Sequence, residues 1–237
     1  MYDNLMFYNY FMVMEINMYL EELQKLFKEQ SVNLPNHVQH RIYRTLSWLN
    51  QADDIENRDK KFPDLDSQFI SLWIAFNAIY ARKDWNDDKE RFKAFIKVIN
   101  DKESEKLNKI LWEIYSSKIN VFLKNKYVFR QFWDFHNSDG IDAKNWSLAF
   151  EDDNLRAQQC LKSKNSEELL LILFDRIYTL RNQIFHGGST FNSSVNRLQL
   201  STACGLLKDL VPVFALVVLN NPNDENWGHP FYPVIED

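Results

Sequence analysis

Residues 181–188 read Arg-Asn-Gln-Ile-Phe-His-Gly-Gly, and three of them bear groups suited to phosphate chemistry. Arg181 offers a planar fork of donors that matches phosphate oxygens. Histidine is the side chain type best suited to take or give a proton near neutral pH, and position 186 supplies one. Asn182 has the donors and acceptor to orient the imidazole or hold the phosphate. Cutting RNA without a metal needs a base for the 2′-hydroxyl, an acid for the leaving oxygen and a cation for the crowded phosphate. One histidine does not readily serve as base and acid together, whereas two copies of the chain across a twofold axis supply both.

The spacing alone is weak evidence. With ten arginines and five histidines, an arginine followed four to six residues later by a histidine is expected by chance roughly 0.6 times in a chain of this length. A rival pair exists, Arg130 and His136 in RQFWDFH. There the residue after the arginine is Gln131, and Phe132, Trp133 and Phe135 read as packing residues. The 181–186 pair closes an amphipathic helix and is followed by two glycines, so it is the pair expected to act. Arg130 and His136 are expected to be dispensable. At about 100° per residue, Leu170, Leu173, Ile177, Leu180 and Ile184 share the core side of that helix. Asp175, Asn182 and His186 fall within about 20° of one another on the far side, with Arg181 on the flank beside Tyr178 and Phe185.

Other candidates are poorer. His37 and His40 stand three apart on a helix, without a carboxylate or cysteine nearby in sequence to complete a metal cage. His136 and His229 are isolated. Arg197 stands across a short loop from 186–188, where a surface ion pair is expected before a phosphate contact. Cys160 and Cys204 make no disulfide framework and suit a reducing compartment. No glycine-rich phosphate loop is present. No cofactor and no metal are therefore expected.

Behind these residues stands a chain of 237 residues, 45% hydrophobic and 15% aromatic, with five glycines, six prolines and a net charge of −5. Scarce turn residues favour helices. The acidic balance means that any nucleic-acid contact must be local or shared with a second chain. The longest clean apolar run, Val211 to Leu219, falls short of the roughly 20 residues of a membrane span. No basic leader precedes it, and Met12, Met14 and Met18 leave the start codon open. The chain reads as soluble and cytoplasmic, with no membrane partner.

Helical periodicity predicts elements over 15–29 (stripe Ile16, Leu20, Leu23, Phe27), 36–57 (Ile42, Leu46, Leu49 inward) and about 67–83. The third is capped by Asp66 or Ser67, with Phe69, Leu72, Trp73, Phe76 and Tyr80 inward and Asn77 a hydrogen-bonded core residue. Further helices are predicted near 88–100, 104–124, 126–136 and 151–162, with a loop at 136–145. Ser166 is expected to cap the motif helix, with Glu167 and Glu168 in its first turn and Gly187 and Gly188 ending it through a left-handed cap. The last helix is expected from Ser193 or Ser194 to Leu219, with a kink at Pro212. Trp112, Tyr115, Phe129, Phe132 and Trp133 are at helical spacing and read as core, although some rings suit stacking on RNA bases. The expectation is one all-α domain over 1–237, with a helical arm at 1–36, a bundle core at 37–220 and an irregular tail at 221–237.

The stretch LRNQIFHGG resembles the signature of the HEPN superfamily, an arginine and a polar residue followed a few positions later by a histidine. LWIAFNAIYA is similar to an early helix of many such proteins, and the resemblance spans roughly 37–220. It implies a helical bundle that dimerises so that two motifs share one cleft. It implies Arg181, Asn182 and His186 as catalytic residues of a metal-independent endoribonuclease acting on RNA as a toxin or antiphage-defence factor, with an antitoxin or defence protein as partner. Some members are non-catalytic, so a module that binds RNA, a nucleotide or a protein is the alternative. Toxins silenced by a small nucleotidyltransferase carry a tyrosine two residues after the histidine. Here that position is Gly188, which speaks against that partner.

Overall fold

A computed structural model describes residues 18–83, 88–138, 145–232 and 234. Met12, Met14, Ile16, most of the loop at 136–145 and the end of the tail lie outside them. Among the described residues there are ten helices and no strand, an all-α fold. They are α1 (18–30), α2 (Asn36–Arg58), α3 (Leu65–Tyr80), α4 (Asp88–Lys102), α5 (Ser104–Asn108), α6 (Ser116–Leu123), α7 (Arg130–Asn137), α8 (Trp146–Ser163), α9 (Ser166–Phe185) and α10 (Arg197–Asn220).

The apolar stripes dictate the packing. α3 lies against both α2 and α10, and Phe69, Leu72 and Phe76 are buried together with Ile42 and Phe214. Each such side chain contributes about 1.5–3 kcal/mol on burial. α10 is the core helix: by length and composition it could cross a membrane, yet 89% of its apolar window is buried inside the fold. Tyr19 and Leu23 of α1 and Trp227 near the C-terminal end join the same hydrophobic cluster.

Several boundaries differ from expectation, each for a local reason. Asp64, not Asp66 or Ser67, caps α3, accepting from the Ser67 N–H at 3.0 Å. Asp66 instead receives Arg197 at 2.9 Å and the Asn192 N–H at 3.2 Å, so Arg197 is an ion-pair residue. Asn165 caps α9, accepting from the Glu168 N–H. The Ser166 hydroxyl meets Asn108 at 2.6 Å and the Trp112 indole N–H at 3.0 Å, which seats the start of α9. The 104–124 segment is not one helix: residues Lys109–Ile114 form a π-helical turn between α5 and α6. A 3-10 turn, Lys126–Val128, precedes α7. α8 begins five residues before the expected start, after left-handed Asn145, and α10 begins at Arg197 after left-handed Asn196. Asn77 is only half-buried and makes no side-chain hydrogen bond among the described residues.

Residues 221–232 of the C-terminal segment are tied back to the bundle by arginine side chains. Arg41, 1% exposed, donates to the carbonyls of Ile79, Ala81 and Trp227 at 2.7, 2.9 and 3.0 Å. Burial, with Arg82 and Arg44 nearby, pushes its guanidinium down to about 10. His229 is not isolated either. Its ring lies 5.5 Å from that of His37, whose pKa is lowered by burial first and by His229 and Arg41 after it.

Candidate functional site

α9 carries the motif, and its end is built as the two glycines require. The Gly187 N–H reaches the Ile184 carbonyl at 3.2 Å and the Gly188 N–H reaches that of Gln183 at 2.7 Å. With Gly187 at φ +72°, these paired bonds make a Schellman cap. The left-handed angle explains Gly187. At Gly188 a Cβ would stand 3.0 Å from the Gln183 carbonyl oxygen. A tyrosine at this position would strain the cap, a physical reason for its absence here.

Gln183 anchors the tip. Its amide donates to the Tyr127 carbonyl at 2.6 Å and accepts from Asn196 at 2.9 Å. The end of α9 is thus fastened both to the turn before α7 and to the loop before α10. Above it opens a cleft of about 650 Å³ between α7 and α9, lined by Asn182 and His186 together with Arg130, Trp133, Tyr178 and Thr179, among others. His186 is exposed and Asn182 half-buried.

Arg181 does not line this cleft. Its guanidinium lies 4.3 Å from the Phe185 ring centre and 6.0 Å from that of Tyr178, and it donates to the Asn182 side-chain oxygen at 3.0 Å. No carboxylate pairs with it among the described residues, and its Nε is buried without a partner. Arg181 therefore holds Asn182 from behind, with its charge not cancelled.

The rival pair is split by the fold. Arg130, at the start of α7, lines the same cleft as His186. Its nearest carboxylate is Asp134 at 3.5 Å in an exposed pair, and such pairs contribute little. His136 instead packs against Phe132, ring centres 4.4 Å apart and tilted by 56°, and is absent from the cleft lining. The sequence pattern sets Arg130 aside together with His136, and the fold separates the two. The only signal for Arg130 was the cation itself at a helix start, because its proximity to α9 is a long-range contact. Gln183 and Trp133 likewise gave no signal as site residues.

Among the described residues no three histidine, cysteine, aspartate or glutamate side chains gather as a metal cluster. Both cysteines are buried and free. The remaining aromatics mostly pack: Tyr115, Phe129 and Phe132 are buried, and Trp112 and Trp133 partly so. Comparison with protein-family models, curated proteins and solved structures gave no match.

Proposed function

We propose that this chain is a HEPN-type, metal-independent endoribonuclease acting as a cytoplasmic toxin or antiphage-defence factor. The observation that carries the reading is the cleft between α7 and α9, where His186, Asn182 and Arg130 converge with Arg181 braced behind them. In this reading His186 moves the proton of the attacking 2′-hydroxyl or of the leaving oxygen. Arg130 and Arg181 offset the charge that develops on the phosphate, and Asn182 holds a phosphate oxygen or the imidazole.

A second copy supplies the second histidine. Around the motif, Phe185, Phe191, Val195 and Leu198 are large apolar side chains between 42% and 71% exposed, surface suited to self-association. The expected assembly is a twofold dimer with both motifs facing one groove. Light scattering at micromolar concentration tests it, and a strictly monomeric species would count against the composite site. Cleavage of a labelled RNA tests the activity. It should survive chelator and leave a 2′,3′-cyclic phosphate, and loss in EDTA with rescue by magnesium would reject the mechanism.

One observation favours the non-catalytic module. Arg181 is engaged with Asn182 and Phe185 instead of pointing into the cleft, as it would if the site bound a ligand without turning it over. A parent protein that retains RNA without cutting it would select that reading.

A further inference from the structure

A second cavity, of about 470 Å³, opens beside the first between α3, α4, α8 and α9. That is within the roughly 300–1,000 Å³ of small-molecule sites, which are mostly apolar with a few placed polar groups. Its walls are aromatic. Trp73 and Phe129 are buried, Tyr80 and Phe92 are half-buried, and Tyr178 is 42% exposed. Trp73 and Tyr178 stand with ring centres 6.0 Å apart. Arg130 and Tyr178 line both cavities, so the two are neighbours along one groove.

The charges around this cavity are Glu90 and Lys93, both exposed at its rim, and Arg130, Asp153, Arg156 and Asp175. Asp153 is paired with Arg176, and Arg156 donates to Glu168 at 2.6 Å. Asp175 differs from all of these in being half-buried and unpaired at once. The residue lies on the cavity wall, and among the described residues its carboxylate accepts no hydrogen bond and forms no ion pair. A carboxylate can only accept, so what completes it is a ligand with donors. Flat rings around it call for a flat ligand. Among the bases, guanine presents two adjacent donors on one edge, N1–H and the 2-amino group, which match the two oxygens of one carboxylate.

We infer that this aromatic cavity binds a guanine base, its face against Tyr178 and the neighbouring rings and its Watson–Crick edge on Asp175. Asp175 lies seven residues before Asn182, about 10 Å along the helix. That is the span from a base edge to its own phosphate, so the next-door cleft would receive the phosphate of the same nucleotide. The pairing of the two cavities rests on the RNA-cleaving reading; guanine binding in itself does not. The base comes either from an RNA strand or from a free guanine nucleotide.

The test uses the full-length chain carrying His186→Ala, which prevents turnover of the strand. It is titrated with GMP, AMP and UMP, and with short single-stranded RNAs with or without one guanine, by calorimetry and by tryptophan fluorescence. GMP is expected to bind at least tenfold more tightly than AMP or UMP. Asp175→Asn should erase that preference while the circular dichroism stays unchanged. Tyr178→Ala should weaken all three nucleotides by roughly 5- to 150-fold, the scale of a lost base stack. Because Tyr178 also flanks Arg181, Asp175→Asn is the deciding variant. A guanine-bearing RNA that binds more tightly than GMP supports the strand as source, and equal affinity supports the free nucleotide. Equal or absent binding of the three nucleotides, or a preference that survives Asp175→Asn, would overturn the inference. If the unsubstituted chain then still cuts RNA without base preference, the nuclease reading stands alone. If GMP binds to a protein that never cuts RNA, the cavity stands and the nuclease reading falls.

Discussion

Arg176 and Arg181 sit five residues apart on α9, and each lays its guanidinium 4.3 Å from the centre of a phenylalanine ring, Phe129 and Phe185 respectively. Their surroundings otherwise differ. Arg176 is 1% exposed and is paired with Asp153 of α8. Burial lowers its pKa and raises that of Asp153, against the attraction between them. Arg181 is half-buried, and its polar partner is the neutral Asn182. One arginine spends its charge on holding two helices together. The other keeps a net charge at the edge of a cleft, where an anion can use it. The same residue type, on the same helix and against the same kind of ring, is neutralised or left charged according to what faces it.

The largest effect expected from this contrast is on stability. Arg176→Ala leaves the Asp153 carboxylate partly buried with only the exposed Arg156 guanidinium, 3.9 Å away, to offset it, a loss of about 3–5 kcal/mol. For a chain of this size that lowers Tm by roughly 6–20 °C. Because burial works against both partners, replacing the pair by Arg176→Met with Asp153→Leu should recover most of the loss. Thermal unfolding of the three variants decides it, and an Arg176→Ala protein as stable as the parent would erase the distinction drawn here.

Next comes activity. Arg181→Ala should cost 1 kcal/mol or less in stability, as for most changes outside the core, roughly within the scatter of surface variants. It should nevertheless reduce RNA cleavage about 10²-fold, and His186→Ala about 10²–10⁴-fold. Arg181→Lys keeps the charge but not the fork, so it should restore only part of the rate. Growth on induction and cleavage of a labelled RNA are the readouts, with circular dichroism as folding control. Wild-type cleavage by Arg181→Ala would leave Arg130 as the cation of the cleft.

The acidic counterpart of Arg176 is Asp209 of α10, 1% exposed and hydrogen-bonded by the Tyr115 hydroxyl at 2.6 Å. Gly205 makes room for that hydroxyl, since a Cβ there would lie 2.7 Å from it. Burial, only partly offset by the Tyr115 bond and by Lys208, pushes the Asp209 carboxyl up to about 7. The folded protein therefore holds this proton more tightly than the unfolded chain, whose aspartates titrate near about 3.9. Its stabilising contribution is complete below about pH 4 and is lost as pH rises to 7. Asp209→Asn should flatten the stability profile across that window and, above pH 7, exceed the parent by about 2–4 kcal/mol. Urea unfolding at pH 4, 6 and 8 measures it; an unchanged slope would mean that the buried carboxyl is relieved by water or motion.

The smallest effects separate Arg130 from its sequence neighbour. Arg130→Ala should weaken RNA binding and cleavage about tenfold, the scale of one partly exposed charge-assisted contact. His136→Ala should leave both unchanged, because that ring packs at a tilt against Phe132 and does not line the cleft. Loss of activity in His136→Ala, with the protein still folded, would reverse the assignment.

Periodicity was enough to find the helical class, the inward faces of α2, α3 and α9, and the glycine cap behind His186. These are local properties: a stripe repeats every three to four residues, and a left-handed cap is written in adjacent glycines. Short-range competition between neighbouring side chains already escaped that reading. Asp64 rather than Asp66 caps α3 because Asp66 is drawn to Arg197, 131 residues away. The π-helical turn before Tyr115 and the buried clamp of Arg41 on the 227–228 turn had no pattern to betray them. The residue types Arg181, Asn182 and His186 were legible as a unit, because one helix end holds all three. Which cation shares the cleft with His186, which arginine of α9 is neutralised and which carboxylate is left unmatched were decided only by tertiary packing. Those outcomes depend on α7 and α8 packing against α9, and on the burial that sets the cost of each charge.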